Sequence, residues 1–181
     1  TTLSVGANGP GGRLILKPAL KPDLMAQIPL PLVLERYSRF ETFVDGENQA
    51  LIAHLTSLQR GTAAEILWLW GAAGAGKSHL LQAACAQRGA ATSIYLPLRS
   101  KDSVGVDVLE GLETLDVVAL DDIDEVAGLP GWELALFNLY NRVQAAGGKL
   151  LLSAQQAPMH TPFQLADLAS RAGGAIVYRV H

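Results

Sequence analysis

The chain has 181 residues; 49% are hydrophobic, 17% are charged, and the formal net charge at pH 7 is −3. This length fits one domain, and the composition supplies enough apolar side chains for a buried core, which excludes fibrous and disordered classes. No apolar run reaches the roughly 18 residues of a membrane span, so a cytoplasmic protein is expected. The mild acidity argues against direct DNA binding, since DNA-binding domains usually carry a basic patch. Any DNA contact is therefore expected to pass through a partner.

The N-terminal part of the chain is predicted to precede the folded domain. Residues 1–24 contain a Gly/Pro cluster and two Lys-Pro pairs, which predict a flexible leader. Residues 25–40 place prolines among leucine and isoleucine, which favours an extended segment lying on a surface. Residues 41–181 are predicted to form one folded domain.

From residue 48 onward the sequence alternates helical and strand patterns. Residues 48–60 place apolar side chains on one helical face and are followed by Gly61, which predicts an amphipathic helix. Short apolar, partly β-branched runs predict five strands, at residues 66–70, 92–96, 116–120, 149–153 and 175–179. Helical patterns separate them, at residues 77–88, 132–146 and 162–171, with a weaker one at 106–113. This alternation predicts an α/β fold whose parallel sheet carries helices on both faces.

Residues 71–78 match the phosphate-binding pattern G-x-x-x-x-G-K-[ST], between a predicted strand and a predicted helix. Glycines let backbone N–H groups face phosphate oxygens, and the helix N-terminus adds partial positive charge. We expect Lys77 at the β- and γ-phosphates and the Ser78 hydroxyl on Mg²⁺. The expected nucleotide contacts in this region are Gly71, Gly74, Ala75, Gly76, Lys77, Ser78 and His79. The alternative is a Gly/Ala-rich turn without a ligand, which the flanking strand and helix disfavour.

A pair of acids follows the third predicted strand. The apolar run at 116–120 leads directly into Asp121 and Asp122. A carboxylate at the end of a neighbouring strand holds the metal of a phosphate site through its water shell. We therefore expect Asp121 to assist Ser78 with Mg²⁺ and to contribute to the nucleotide site, and Asp122 to orient or activate a water. Taken alone, the pair could equally be a turn at a strand end.

Together these motifs resemble the AAA+ ATPases of the replication-initiator DnaA family. The resemblance covers most of residues 25–181 and extends to four further stretches, at residues 43–48, 120–123, 137–142 and 149–158. It implies a P-loop AAA+ core with strand order 5-1-4-3-2, and ADP or ATP with Mg²⁺ as cofactors. It also implies that Val44 lies at the nucleotide base and that Gln155 is at the sensor 1 position, where the family usually has Asp or a similar polar residue.

Three features resemble the regulatory branch of this family more than the initiator itself. Gln27, Leu30 and Leu32 lie in a peptide that resembles the segment by which bacterial proteins bind the replicative sliding clamp. A Gln amide can bond into a polar pocket while the leucines fill an apolar groove. A proline-rich linker is the alternative. The stretch between the second and third predicted strands is short for the initiator's DNA-handling insertion, and no C-terminal helix-turn-helix candidate is visible.

Arg171 lies near the end of the last predicted helix, where the resemblance implies an arginine finger. A guanidinium placed there would act in trans on ATP bound to DnaA, by stabilising the charge that develops in phosphoryl transfer. An ordinary arginine at a helix C-terminus is the alternative. The family also carries a helical lid with a second sensor arginine after the fifth strand. The sequence reaches His181 without it, so we expect the lid domain to be absent and nucleotide affinity to be reduced.

The resemblance therefore implies a negative regulator of replication initiation. Such a protein would bind an adenine nucleotide, ADP in the active form, and the DNA-loaded sliding clamp, and would stimulate hydrolysis of DnaA-bound ATP. The residues expected to take part in catalysis are Asp122 and Arg171, with at most a weak ATPase activity of the chain itself. The alternatives are a DnaA-like initiator or helicase loader, an autonomous ATPase, and an adaptor with a vestigial phosphate site. A homo-oligomer is also compatible with the sequence.

Overall fold

The computed structural model describes Phe40, residues 46–58 and residues 63–181. The predicted leader, the predicted clamp-binding residues Gln27, Leu30 and Leu32, and the predicted base contact Val44 lie outside the described residues.

One parallel sheet forms the centre of the structure. Its strands are β1 Glu65–Trp70, β2 Ser93–Pro97, β3 Val117–Asp121, β4 Lys149–Ala154 and β5 Ile176–Arg179. The spatial order is β2-β3-β4-β1-β5, and every neighbouring pair is parallel. This is the order implied by the family resemblance, read from the opposite edge. Strands β3 and β4 are buried along their whole length, as a sheet covered on both faces requires.

Helices cover both faces of this sheet. They are α1 Gln49–Ser57, α2 Lys77–Arg88, α3 Lys101–Val104, α4 Pro130–Ala146 and α5 Ala166–Gly173. On one face, α1 and α2 pack against Leu67 and Leu69 of β1. On the other face, α4 and α5 pack against Trp68 of the same strand. Because side chains of a strand alternate between faces, one central strand contributes to both cores. The predicted α/β fold class is therefore confirmed.

The predicted helix at residues 106–113 is wrong. Residues 106–114 instead form two short 3-10 turns, Val106–Leu109 and Leu112–Thr114. Gly105 and Gly111 have φ values of +51° and +75°, in the left-handed region that a continuous α-helix does not contain. The buried side chains of Leu109 and Leu112 anchor the two turns. The three-residue spacing of these leucines is the same as that of apolar residues on one face of a helix, which explains the prediction.

Two tryptophans and the cysteine contribute to the core. Trp68 is fully buried, and Trp70 is partly buried against the same core. Cys85 is buried in α2, where its thiol faces the backbone carbonyl of Ile94. Among the described helices, none is both long and apolar enough to cross a membrane.

Candidate nucleotide-binding site

The loop between β1 and α2 borders an open cavity of about 340 Å³. The residues that line the cavity are Ala73, Gly74, Gly76, Lys77, Ser78, His79, Gln82, Arg99 and Asp122. Gly74 and Gly76 have φ values of +82° and +93°, which glycine adopts without a steric penalty. The backbone turns at these two glycines carry the loop around the cavity and into α2. The first N–H groups of α2 have no partner within the helix.

Gly71 has a structural role at the start of the same loop. A Cβ atom on this residue would lie 2.5 Å from the carbonyl oxygen of Val180, just beyond β5. The N–H of Val180 donates to the Trp70 carbonyl at 2.7 Å, which holds the two backbones together. Gly71 therefore permits a close backbone approach, and it does not line the cavity. Ala75, another predicted nucleotide contact, also lies outside the lining.

Lys77 is the cation of the loop. Its side chain folds back so that Nζ donates to the carbonyls of Gly71 at 2.7 Å and Ala72 at 2.9 Å. Only 6% of the residue is exposed, and within the described part of the chain no carboxylate forms an ion pair with it. The ammonium group is therefore held inside the loop by neutral acceptors, where its charge is available to a phosphate.

The two acids after β3 have different surroundings. Asp121 is 1% exposed, and its two carboxylate oxygens accept hydrogen bonds from the hydroxyls of Tyr95, at 2.6 Å, and Ser153. The Ser153 oxygen also accepts the backbone N–H of Asp122 at 2.9 Å. Asp121 is thereby fixed between β2 and β4, behind the cavity wall rather than in it.

Asp122, in contrast, lines the cavity. It is the only non-glycine residue with a positive φ among those the structure describes, at +59°, and this turn separates its side chain from that of Asp121. The Arg99 guanidinium contacts the carboxylate, with Nε 2.6 Å from Oδ2 and Nη2 3.4 Å from Oδ1. Burial and the neighbouring charge of Asp121 raise the pKa of Asp122, and Arg99 partly opposes this rise. The hydrogen bond to Asp122 likewise raises the pKa of Arg99.

The oxygen donors of the site fit a magnesium ion that arrives with nucleotide phosphates. Mg²⁺ keeps several of its waters and takes few protein ligands when phosphates are present. The Ser78 hydroxyl lines the cavity, and it is also a hydrogen-bonding neighbour of Tyr95, which contacts Asp121. Within the described ranges, no group of three or more His, Cys, Asp or Glu could hold a metal ion by itself. Ser78 therefore suits direct contact with a phosphate-bound metal, whereas the buried Asp121 lies behind the cavity lining and suits an indirect role.

The structure brings Ser153 of β4 to the two acids, whereas Gln155, which the family resemblance places at the sensor 1 position, follows the strand. Gln155 is exposed after the end of β4, lies outside the cavity lining, and donates its backbone N–H to Asp124 at 2.6 Å. Ser153, two residues earlier, binds both Asp121 and Asp122. The sequence signal for Ser153 is a single hydroxyl inside an apolar strand. The sequence signals for Tyr95 and Arg99 are comparably weak, because Tyr95 lies within the short apolar run of β2 and Arg99 follows it.

Arg171 lies in the last turn of α5, exposed and outside the cavity lining. None of the ion pairs between described residues includes it. Its charge opposes the rise that burial causes in the pKa of Tyr140. The start of α5 is held by Glu133, whose buried carboxylate accepts the N–H groups of Gln164 and Leu165. Arg171 therefore extends from a fixed helix toward solvent.

The structure is similar to solved structures of replication initiators. DnaA from Aquifex aeolicus with bound AMPPCP has a TM-score of 0.68 and 20% identity, over 82% of this chain and 51% of that one. Domain III of DnaA from Thermotoga maritima has a TM-score of 0.63 and 21% identity, over 80% and 67%. A Neisseria meningitidis protein has a TM-score of 0.51 and 29% identity, over 81% and 92%. The chain spans about half the length of the Aquifex protein. No family model matches the sequence.

The sheet order and the glycine-rich loop define a P-loop nucleotide-binding fold. The DnaA structures share this fold.

Proposed function

We propose that this chain is a nucleotide-binding regulator of replication initiation that resembles Hda, a regulatory inactivator of DnaA. It binds ADP with Mg²⁺, binds the sliding clamp through Gln27, Leu30 and Leu32, and stimulates hydrolysis of DnaA-bound ATP through Arg171. The observation that carries the proposal is the cavity formed by the 71–78 loop, in which Lys77 and Ser78 face the space for a phosphate chain.

Nucleotide binding is supported by the charge and size of this cavity. Lys77 and the N-terminus of α2 supply positive charge, and a volume of about 340 Å³ accommodates the phosphates and metal of a nucleotide. The AMPPCP-bound DnaA structures, which share the fold, support an adenine nucleotide.

A role for the nucleotide as a structural ligand, rather than as a substrate, is supported by the state of Asp122. Arg99 contacts its carboxylate, with Nε 2.6 Å from Oδ2, and so occupies an oxygen that would otherwise be available to orient a water. Gln155 does not face the cavity, so it does not replace Asp122 in this role. Both features predict slow hydrolysis by the isolated chain.

The activity toward DnaA rests on Arg171. Its guanidinium forms no ion pair with the described residues and lies outside the cavity of the same chain. It is therefore available to a phosphate on a neighbouring subunit. The rigid attachment of α5 through Glu133 supports delivery of this charge at a defined position.

Clamp binding is tested by calorimetric titration of the chain into the bacterial sliding clamp. We expect micromolar affinity for the parent and none for Gln27→Ala. Equal binding by the two would reassign the contact to another part of the chain. Absence of binding by either would leave a P-loop domain whose target is not the clamp.

The effect on DnaA is tested by hydrolysis of DnaA-bound ATP in the presence of the DNA-loaded clamp. We expect Arg171→Ala to reduce the stimulation by about 100-fold or more, because fingers of this kind act at the charged transition state. Arg142→Ala is the matched control, since Arg142 is half-exposed and paired with Glu113. Stimulation by Arg171→Ala equal to that of the parent would contradict the finger.

Two results would favour other functions. Steady ATP turnover by the isolated chain that disappears in Asp122→Ala would indicate an autonomous ATPase. Tight, salt-dependent binding of single-stranded DNA without the clamp would indicate an initiator or a helicase loader.

A further inference from the structure

Asp121 has a functional position but no direct access to the cavity. It is 1% exposed and is not among the residues that line the cavity. Tyr95 of β2 contacts Asp121 directly and has Ser78 as a second polar neighbour. This residue aligns with Ala119 of β3, and Asp121 lies two positions further along that strand, on the same face.

The Tyr95 hydroxyl has neighbours on both sides. It donates to Oδ2 of Asp121 at 2.6 Å, and its other hydrogen-bonding neighbours are Ser78 and Gln82, one turn apart on α2. Burial and the charge of Asp121 raise the pKa of Tyr95, so the hydroxyl keeps its proton at neutral pH. A phenol that donates to a carboxylate still has acceptor lone pairs, which can accept hydrogen bonds from neighbours such as Ser78 and Gln82.

We propose that Tyr95 is the positioning residue through which Asp121 acts on nucleotide-bound magnesium. This inference rests on the proposed nucleotide binding. The Asp121 charge polarises the Tyr95 O–H bond, which makes the phenol oxygen a stronger acceptor for Ser78 or for a water of the metal shell. Because such outer partners orient the groups that touch a metal, the hydroxyl contributes to metal affinity without being a ligand.

The alternative is that Tyr95 only fills space between β2 and α2. Its ring does pack at the edge of the core on that side of the sheet. The two roles differ in what the hydroxyl does. Replacing Tyr95 by phenylalanine keeps the packing of the ring but removes the polarised hydroxyl acceptor.

The test compares the affinity of the 181-residue chain for a fluorescent ADP analogue in excess Mg²⁺ and in EDTA. We expect Tyr95→Phe to lose about 10- to 100-fold of the affinity in Mg²⁺ and to keep the parent's affinity in EDTA. Tyr178→Phe is the matched control. Its hydroxyl also has a polar partner, His54 at 2.8 Å, but it lies outside the cavity lining, so both affinities should stay unchanged.

A double-mutant cycle separates a relay from two independent contributions. If Asp121 acts through Tyr95, Asp121→Asn gives a comparable loss in Mg²⁺, and the double variant loses no more than Asp121→Asn alone. Urea unfolding of each variant establishes that it is folded before the titration.

The inference is overturned if Tyr95→Phe retains the parent's ratio of affinities in the two buffers, or if the losses in the double variant are additive. A parent chain that binds the ADP analogue in both buffers, but equally well, overturns the inference alone. A parent chain that binds no nucleotide in either buffer overturns the proposed function as well.

Discussion

Gly71 joins the phosphate loop to the end of β5 through a backbone approach that leaves no space for a side chain. We expect Gly71→Ala to lower the free energy of unfolding by about 1–3 kcal/mol, because the added Cβ must displace the Val180 backbone. Urea unfolding followed by tryptophan fluorescence measures this. Gly173→Ala is the control, since its Cβ would meet no atom within 4 Å. Equal stability of the two variants would contradict the predicted clash.

The pair of Arg99 and Asp122 predicts a dependence of stability on pH. The pKa of Asp122 is raised in the folded chain above its ordinary value of 3.8. The folded chain therefore binds the proton more tightly than the unfolded chain. This contribution to stability is complete below pH 3.8 and is lost as the pH rises through the folded pKa.

Arg99 limits that loss because its charge favours the ionised carboxylate. In Arg99→Gln we expect the pKa of Asp122 to rise further, and the variant to become less stable than the parent as the pH increases above the acid range. The gap should reach about 1 kcal/mol or less, because Arg99 is 65% exposed and screened by solvent. Urea unfolding over a pH series tests this. In an Asp122→Asn background the gap should no longer vary with pH.

Not all site residues could be predicted from the sequence. Lys77, Ser78 and the two acids lie in short motifs whose spacing carries the chemistry. Tyr95 and Ser153, however, meet Asp121 from 26 and 32 residues away along the chain. These contacts exist because β3 lies between β2 and β4, so they require the strand order as well as the sequence pattern.

Among the elements, the connection between α4 and α5 depends on one buried carboxylate. Glu133 is fully buried and accepts N–H groups of Gly128 at 2.6 Å, Gln164 at 3.0 Å and Leu165 at 2.6 Å. The latter two donors belong to the two residues that precede α5, next to the helix N-terminus, where backbone N–H groups lack partners within the helix. Glu133 therefore acts as a cap supplied by another helix.

We expect Glu133→Gln to destabilise the chain by about 2–4 kcal/mol, because the new amide group places a donor against backbone donors. Amide hydrogen exchange should also become faster at residues 164–166. Glu125→Gln is the control, since Glu125 is exposed and paired with Lys101 at the surface, and its loss should be below about 0.5 kcal/mol. A similar small loss at both positions would contradict the capping role.

The predicted element bounds are accurate where the local sequence determines them and wrong where a contact from another element does. The predicted bounds of α2 are correct, and each strand boundary is within a residue or two, because apolar periodicity and flanking glycines determine them locally. The predicted start of α5 at residue 162 is wrong, because Glu133 holds the preceding backbone out of the helix. No local pattern carries information about a cap that comes from another element.

At the scale of the whole molecule, helix α2 connects the candidate phosphate site to the core. The helix that begins with Lys77 and Ser78 also buries Leu80, Leu81 and Cys85 against the sheet. A ligand that binds only the folded chain stabilises it by RT ln(1 + [L]/Kd). We therefore expect ADP to slow any process that requires α2 to separate from the sheet, and a nucleotide with no affinity to have no effect.

Cys85 offers a direct way to observe this. It is the only cysteine of the chain, and burial raises the pKa of its thiol to about 12. A thiol reagent in solution should react only with molecules in which α2 has opened, and saturating ADP should slow the reaction by a factor of 1 + [ADP]/Kd. Labelling at an unchanged rate in ADP would contradict the coupling of α2 to the phosphate site.

The rate at which the buried thiol is labelled thus reports nucleotide binding without any added probe. Because a nucleotide changes the labelling rate only by binding the folded chain, unmodified ADP and ATP can be compared in the same assay, with and without Mg²⁺. No fluorescent group is then attached to the nucleotide. Their order of affinity becomes a ratio of two rates, obtained from the natural sequence.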